Sequence, residues 1–262
     1  MEQTPLTQEP QLDAPQPPTM SLAGRLLNVF ATPGDVFQEV KTASVSTANW
    51  LVPAVILLLV GWTAAWLIFS QDSINHQLSE ITDQAFQKAV EKGRMSEQQV
   101  GQAERWAAIT RRLGAVTGPV LAAFVTPFGW GLILWLVGAK VLKGDFSYLK
   151  AVEVVGLASM INVLGSIVTT LLIVGMGSVF VSPSLVLLVK DFDPQNRFHS
   201  LLAVVNVMTF WLLAVRAIGL ARLSGTSFAK AALWVFGIWA AYTGFMVGLG
   251  VVAQAAFKRM GA

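Results

Sequence analysis

The pattern of apolar positions along the chain falls into long uncharged runs separated by short polar connections. The clearest run is Trp50 to Phe69, which contains no charged residue and no amide. At about 1.5 Å of rise per residue it reaches roughly 30 Å as a helix, the thickness of a bilayer's hydrocarbon core. A soluble helix of that length needs a polar face, and this one has none. The same reasoning predicts a first span over 50–70 and four more at about 114–142, 154–176, 200–220 and 231–257. Pro119 and Pro127 should kink the second. The uncharged run from Val154 to Val189 is too long for one span and too short for two, so the third is expected to end near Gly175 and Gly177. A short interfacial or re-entrant piece then starts at Ser182-Pro183.

Between the spans the pattern changes. Residues 1–20 are rich in Pro, Gln and Thr with no apolar period, so a disordered tail is expected there. Residues 21–49 carry Leu22, Leu26, Val29 and Phe30 at helical spacing. Thr32-Pro33-Gly34-Asp35 follows as a helix start, and then the apolar stripe Val36, Phe37 and Val40. This predicts two juxtamembrane amphipathic helices lying at the membrane surface, with Phe30, Pro33, Val36 and Phe37 as candidate interfacial docking residues. Residues 71–113 read as an extramembrane helical hairpin, interrupted at Gly93 and restarted by a Ser96/Gln99 capping box. Its six bases and six acids are balanced, as on an ordinary solvated surface. The fold class is therefore all-α: a polytopic membrane protein, a bundle of five transmembrane helices with amphipathic surface helices.

Composition narrows the function. Only 13% of the 262 residues are charged, and the formal net charge of +3 is spread over loops, so no nucleic-acid partner is expected. The absence of cysteine excludes disulfides, thiolate metal sites and cysteine nucleophiles. His76 and His199 lie far apart, and no nucleotide loop, zinc-protease motif or nucleophile elbow occurs. The expectation is a protein that is not an enzyme, with no catalytic residue, metal or cofactor. The candidate residues are structural or binding ones instead. Asn162, Ser166 and Thr169 share one helical face. With Asn206 they form either a helix-packing seam or the lining of a path for a small solute, the transporter or channel alternative. Arg216 stands one and a half turns from Arg222, from where it should snorkel to the interface. Ala240, Gly244 and Gly248 repeat every four residues as a close-packing face for another helix, in a partner protein or a second copy. Bases in the short connections favour a cytoplasmic amino terminus.

Several segments resemble a known family. Arg25-Leu26, Phe30-Ala31-Thr32-Pro33, Asp35-Val36-Phe37 and Trp50-Leu51-Val52-Pro53 are similar to the entry of the first span in bacterial proteins of the Yip family. Phe210-Trp211, Ile218-Gly219-Leu220-Ala221, Leu223-Ser224-Gly225 and Lys230-Ala231 resemble that family's penultimate span and turn. The likeness runs from about Ser21 to Ala256. It implies an integral membrane protein of the bacterial inner membrane that organises the membrane or recruits partners. Eukaryotic members bind Rab-type GTPases and carry an Asp-Leu-Tyr-Gly-Pro signature ahead of the first span. That signature is absent here, so small-GTPase binding is not expected.

Overall fold

The computed structural model of the chain describes residues 20–190, 192–193 and 196–259. Of the expected tail over 1–20, all but Met20 lies outside the described residues. Among the described residues no strand forms, and five helices are long and apolar enough to cross a membrane.

The chain enters through two short helices, α1 (Leu22–Ala31) and α2 (Pro33–Thr42). Ser21 caps α1 by accepting a hydrogen bond from the Gly24 amide at 3.1 Å. Thr32 leaves the helical region because the ring of Pro33 crowds the residue before it, and Pro33 then opens α2 where its missing N–H costs nothing. The apolar faces of this pair do not lie on lipid. Val29, Val36, Phe37 and Val40 are completely buried in the main core. Each contributes about 1.5–3 kcal/mol where the alternative is exposure to water.

The first span is α3 (Ala48–Phe69). It leads to a hairpin of α4 (Asp72–Glu91) and α5 (Glu97–Val120), turned at Gly93 with φ 64°. The Gln99 side chain accepts from the Ser96 amide at 2.9 Å, and Arg111 ties the two arms by donating to the Leu78 carbonyl at 3.3 Å. The helix does not stop where the second span begins. It continues through a π-helical turn at Leu121–Val125, α6 (Thr126–Trp135) and a second π-helical segment at Leu136–Val141. Prolines at 119 and 127 cannot supply N–H groups, and the wider π turn absorbs the resulting gaps in the ladder. The unbroken 45-residue rod from Glu97 to Val141 is roughly twice as long as a bilayer core needs.

The third span is α7 (Tyr148–Ala158) followed by α8 (Met160–Met176), bent at Ser159 where its hydroxyl donates back to the Gly156 carbonyl at 2.6 Å. It begins earlier than the apolar run suggests, so Lys150 and Glu153 lie inside the helix. A short 3-10 turn (Leu185–Leu188), α9 (Arg197–Val204) and α10 (Val207–Ser224) follow. The expected single span over 200–220 is thus corrected: it is broken at Val205 and Asn206. The Leu185 amide donates to the Val205 carbonyl at 3.2 Å, and the Val207 amide to the Pro183 carbonyl at 3.0 Å. Asn206 restarts the helix by capping the amides of Met208 and Thr209. Gly225, with φ 66°, ends α10, and α11 (Phe228–Arg259) closes the chain. The core lies where α2, α7 and α10 meet. Gly219 admits Val154 and Phe37 there, and Gly156 rests on the backbone of Trp50 in α3.

Candidate functional site

The break between α9 and α10 brings five separated polar residues together. Asn162, Ser166 and Thr169 from α8 face Asn206 and Thr209 across a cavity of about 320 Å³, bounded by Pro183 and by Ala64 and Ile68 of α3. Gly165 lets Met208 pack within ordinary contact distance, which sets the spacing of the two helices. Thr170 turns its hydroxyl to the Ser166 carbonyl at 2.7 Å and is satisfied by its own helix. The Asn206 side-chain oxygen is occupied by the two amides it caps, and the residue lines the cavity. Among the described residues the side chains of Asn162, Ser166 and Thr169 make no hydrogen bond to the protein. The lining thus offers donors and acceptors without a charge, a chemistry suited to a neutral polar group.

The other candidates fall elsewhere. Arg216 does not snorkel. It is 2% exposed, and its guanidinium lies 4.5 Å from the centre of the Trp130 ring. The side chain is buried within the bundle and folds onto an aromatic face that favours a cation. Gly244 and Gly248 are exposed, with no atom of the chain near enough to touch an added Cβ. Of the docking candidates, Val36 and Phe37 are fully buried, so they are packing residues and not an open face. Phe30 is half-buried edge-on against Trp211 at 5.9 Å, and Pro33 lines a cleft beside Arg222.

A second polar feature escaped the sequence reading. Five side chains from four helices form a chain beneath the amphipathic pair. Glu39 accepts from Arg25 at 3.0 Å; Arg25 donates to the Asn49 carbonyl oxygen at 3.1 Å; the Asn49 amide donates to Glu153. Glu153 faces Lys150 at 3.3 Å, and Lys150 donates to the backbone carbonyls of Val40, Ala43 and Ser44 at 2.6, 2.7 and 3.1 Å. Asn49 and Glu153 are 1% exposed and Lys150 7%. The two cations and two carboxylates cancel, which is the condition for holding charge in a dry core. The signal in the sequence was a Lys150/Glu153 pair three residues apart at the head of an apolar helix, the spacing of neighbours on one face.

A family model, described as the Yip1 domain, matches residues 27–250. No curated protein and no solved structure matches the chain. The matched stretch takes in all five spans, the polar cavity and the buried ionic chain from Asn49 onward. This five-span helical membrane protein therefore belongs to the Yip1 domain family.

Proposed function

We propose that this Yip1-domain protein acts without catalysis, organising the membrane or recruiting partners within it, in a bacterial inner membrane with its amino terminus in the cytoplasm. The observation that carries this reading is the surface of α11. Only 6% of its apolar window is buried against the rest of the chain. Its Ala240/Gly244/Gly248 face is exposed, and a Cβ added at either glycine would meet no atom of the described residues. Small residues spaced by four let helix backbones approach closely in lipid, where tight packing and not the hydrophobic effect drives association. That face fits another transmembrane helix, from a partner or from a second copy of the chain. Small-GTPase recruitment is no part of the proposal.

The test is cross-linking in native membranes with Gly244→Leu and Gly248→Leu combined. A Cβ at either position meets no atom of the described residues and leucine is the better helix former, so the thermal unfolding midpoint of the isolated chain should not fall. The cross-linked species should disappear. Cross-links of unchanged pattern and yield would overturn the reading.

The polar cavity supports a second reading, passage or binding of a small neutral polar solute between α8 and the broken α9–α10 pair. Here Asn162→Leu should abolish solute flux into liposomes carrying the purified protein. Flux equal to that of the unaltered chain would remove the cavity as a conduit.

A further inference from the structure

Five basic side chains gather at the end of the bundle where α1 and α2 sit. Lys41 lies in the last turn of α2, Lys140 and Lys143 end the second span, Arg222 ends α10 and Lys230 begins α11; all five are exposed. The fold brings their elements together. A Cβ on Gly225 would stand 3.9 Å from Lys41 Nζ, and Gly144 rests on Ser224. Two exposed carboxylates share this end, Asp35 and Asp145, while Glu39 and Glu153 face Arg25 and Lys150 inside the protein. The surplus of positive charge here is as large as the formal net charge of the whole chain, +3.

Aromatic side chains mark this end as belonging near the lipid headgroups. Trp135 and Tyr148 meet edge to face at 6.3 Å, and Lys140 stands 5.8 Å from the centre of the Trp135 ring. Such aromatic residues settle at the membrane–water boundary. Within the patch one cation is set in a cleft. The Arg222 guanidinium lies over the elbow between α1 and α2, where a Cβ on Gly34 would be 3.0 Å from it. Among the described residues it makes no ion pair. With Thr226, Thr32 and Asp35 it lines a cavity of about 580 Å³.

We propose that this cleft holds the headgroup of an anionic phospholipid. The phosphodiester meets Arg222, which offers a fork of N–H donors matched to two phosphate oxygens. The surrounding lysines hold the leaflet's negative surface. Asp35 is placed to accept a hydrogen bond from a headgroup hydroxyl, which favours a glycerol headgroup over a bare phosphate.

The experiment uses the full chain in neutral detergent, with phosphatidylglycerol, phosphatidylcholine or inorganic phosphate added. Bound lipid is read by native mass spectrometry and the unfolding midpoint by thermal melting. Phosphatidylglycerol should be retained and should raise the midpoint; phosphatidylcholine and inorganic phosphate should do neither. Arg222→Gln should weaken phosphatidylglycerol retention about fivefold, the effect of one basic contact near a charged membrane surface. Arg105→Gln, on the far hairpin, should leave retention unchanged. Should Arg222→Gln fail to fold, as judged by its midpoint in phosphatidylcholine, the double variant Lys41→Gln/Lys143→Gln, which removes two basic contacts beside the cleft, should weaken retention by more than about fivefold. Equal retention of the two lipids, unchanged retention in the cleft variants, or stabilisation by inorganic phosphate alone would overturn the assignment.

Discussion

Buried charge is paired with opposite charge beneath α1 and α2, whereas Arg216 rests on the Trp130 ring, and Glu153 is where the pairing can be tested. Its carboxylate is held between the Asn49 amide and the Lys150 ammonium at 1% exposure. Removing one member of a buried ion pair strands the other, which typically costs about 3–5 kcal/mol. Glu153→Leu should therefore lower the thermal midpoint in detergent strongly. The double variant Lys150→Met/Glu153→Leu should lose less than the two single variants added together, because it strands no charge. An unchanged midpoint in Glu153→Leu would show that the chain Arg25–Asn49–Glu153–Lys150 carries no stability. These residues were hard to read from sequence because their partners are remote: Asn49 and Glu153 are 104 positions apart. Arg216 shows the opposite case. Its place in the chain pointed to snorkelling, yet the face of Trp130, remote in sequence, receives the side chain.

At the scale of elements, legibility follows how local the determining signal is. The five spans were legible because an apolar run of bilayer length is a property of one stretch of chain. The Ser96/Gln99 box and the Thr32-Pro33 helix start are also local, and both stand as hydrogen bonds or dihedral breaks at those residues. The break at Val205 and Asn206 was not legible, because it depends on backbone pairing to Pro183 and Leu185 about twenty residues earlier. An Asn inside an apolar run is compatible with continuous helix, and it becomes a cap only when the preceding backbone has another partner. That break sets Asn206 opposite Asn162, Ser166 and Thr169. The composition of the polar cavity was thus readable from the sequence while its geometry was not. The amphipathic pair gives the converse lesson. Its stripe of Val29, Val36, Phe37 and Val40 was evident, but periodicity cannot distinguish a face turned to lipid from one turned to α7 and α10.

For the molecule as a whole, the basic end and the orientation in the membrane are one question. Bases orient a membrane protein when they lie in short connections close to the ends of spans, and acids count for little. Lys41, Lys140, Lys143, Arg222 and Lys230 all meet that condition at the amino-terminal end. On the opposite side Lys190, Arg197, Lys258 and Arg259 lie in short connections or the tail, four against those five. In the long loop Lys88, Lys92 and Arg94 stand far along the α4–α5 hairpin from the nearest span, Arg111 is engaged with the Leu78 carbonyl and the Thr82 hydroxyl, and Arg112 at the entry of the second span argues the other way. The balance favours a cytoplasmic amino terminus, and the basic cleft would then face the leaflet whose anionic lipids attract it. Reporter domains fused at the amino terminus, inserted at Gly93 and fused at the carboxyl terminus should report cytoplasm for the first and the opposite compartment for the other two. Gly93 is suited to insertion because it turns with positive φ and a Cβ added there would meet no atom of the described residues. Replacing Lys41, Lys140 and Lys143 together by Gln should make the orientation mixed, since the remaining bias is small. An amino-terminal reporter on the outside would reverse the orientation and turn the basic cleft away from the cytoplasmic leaflet. Both termini on one side would be incompatible with five crossings.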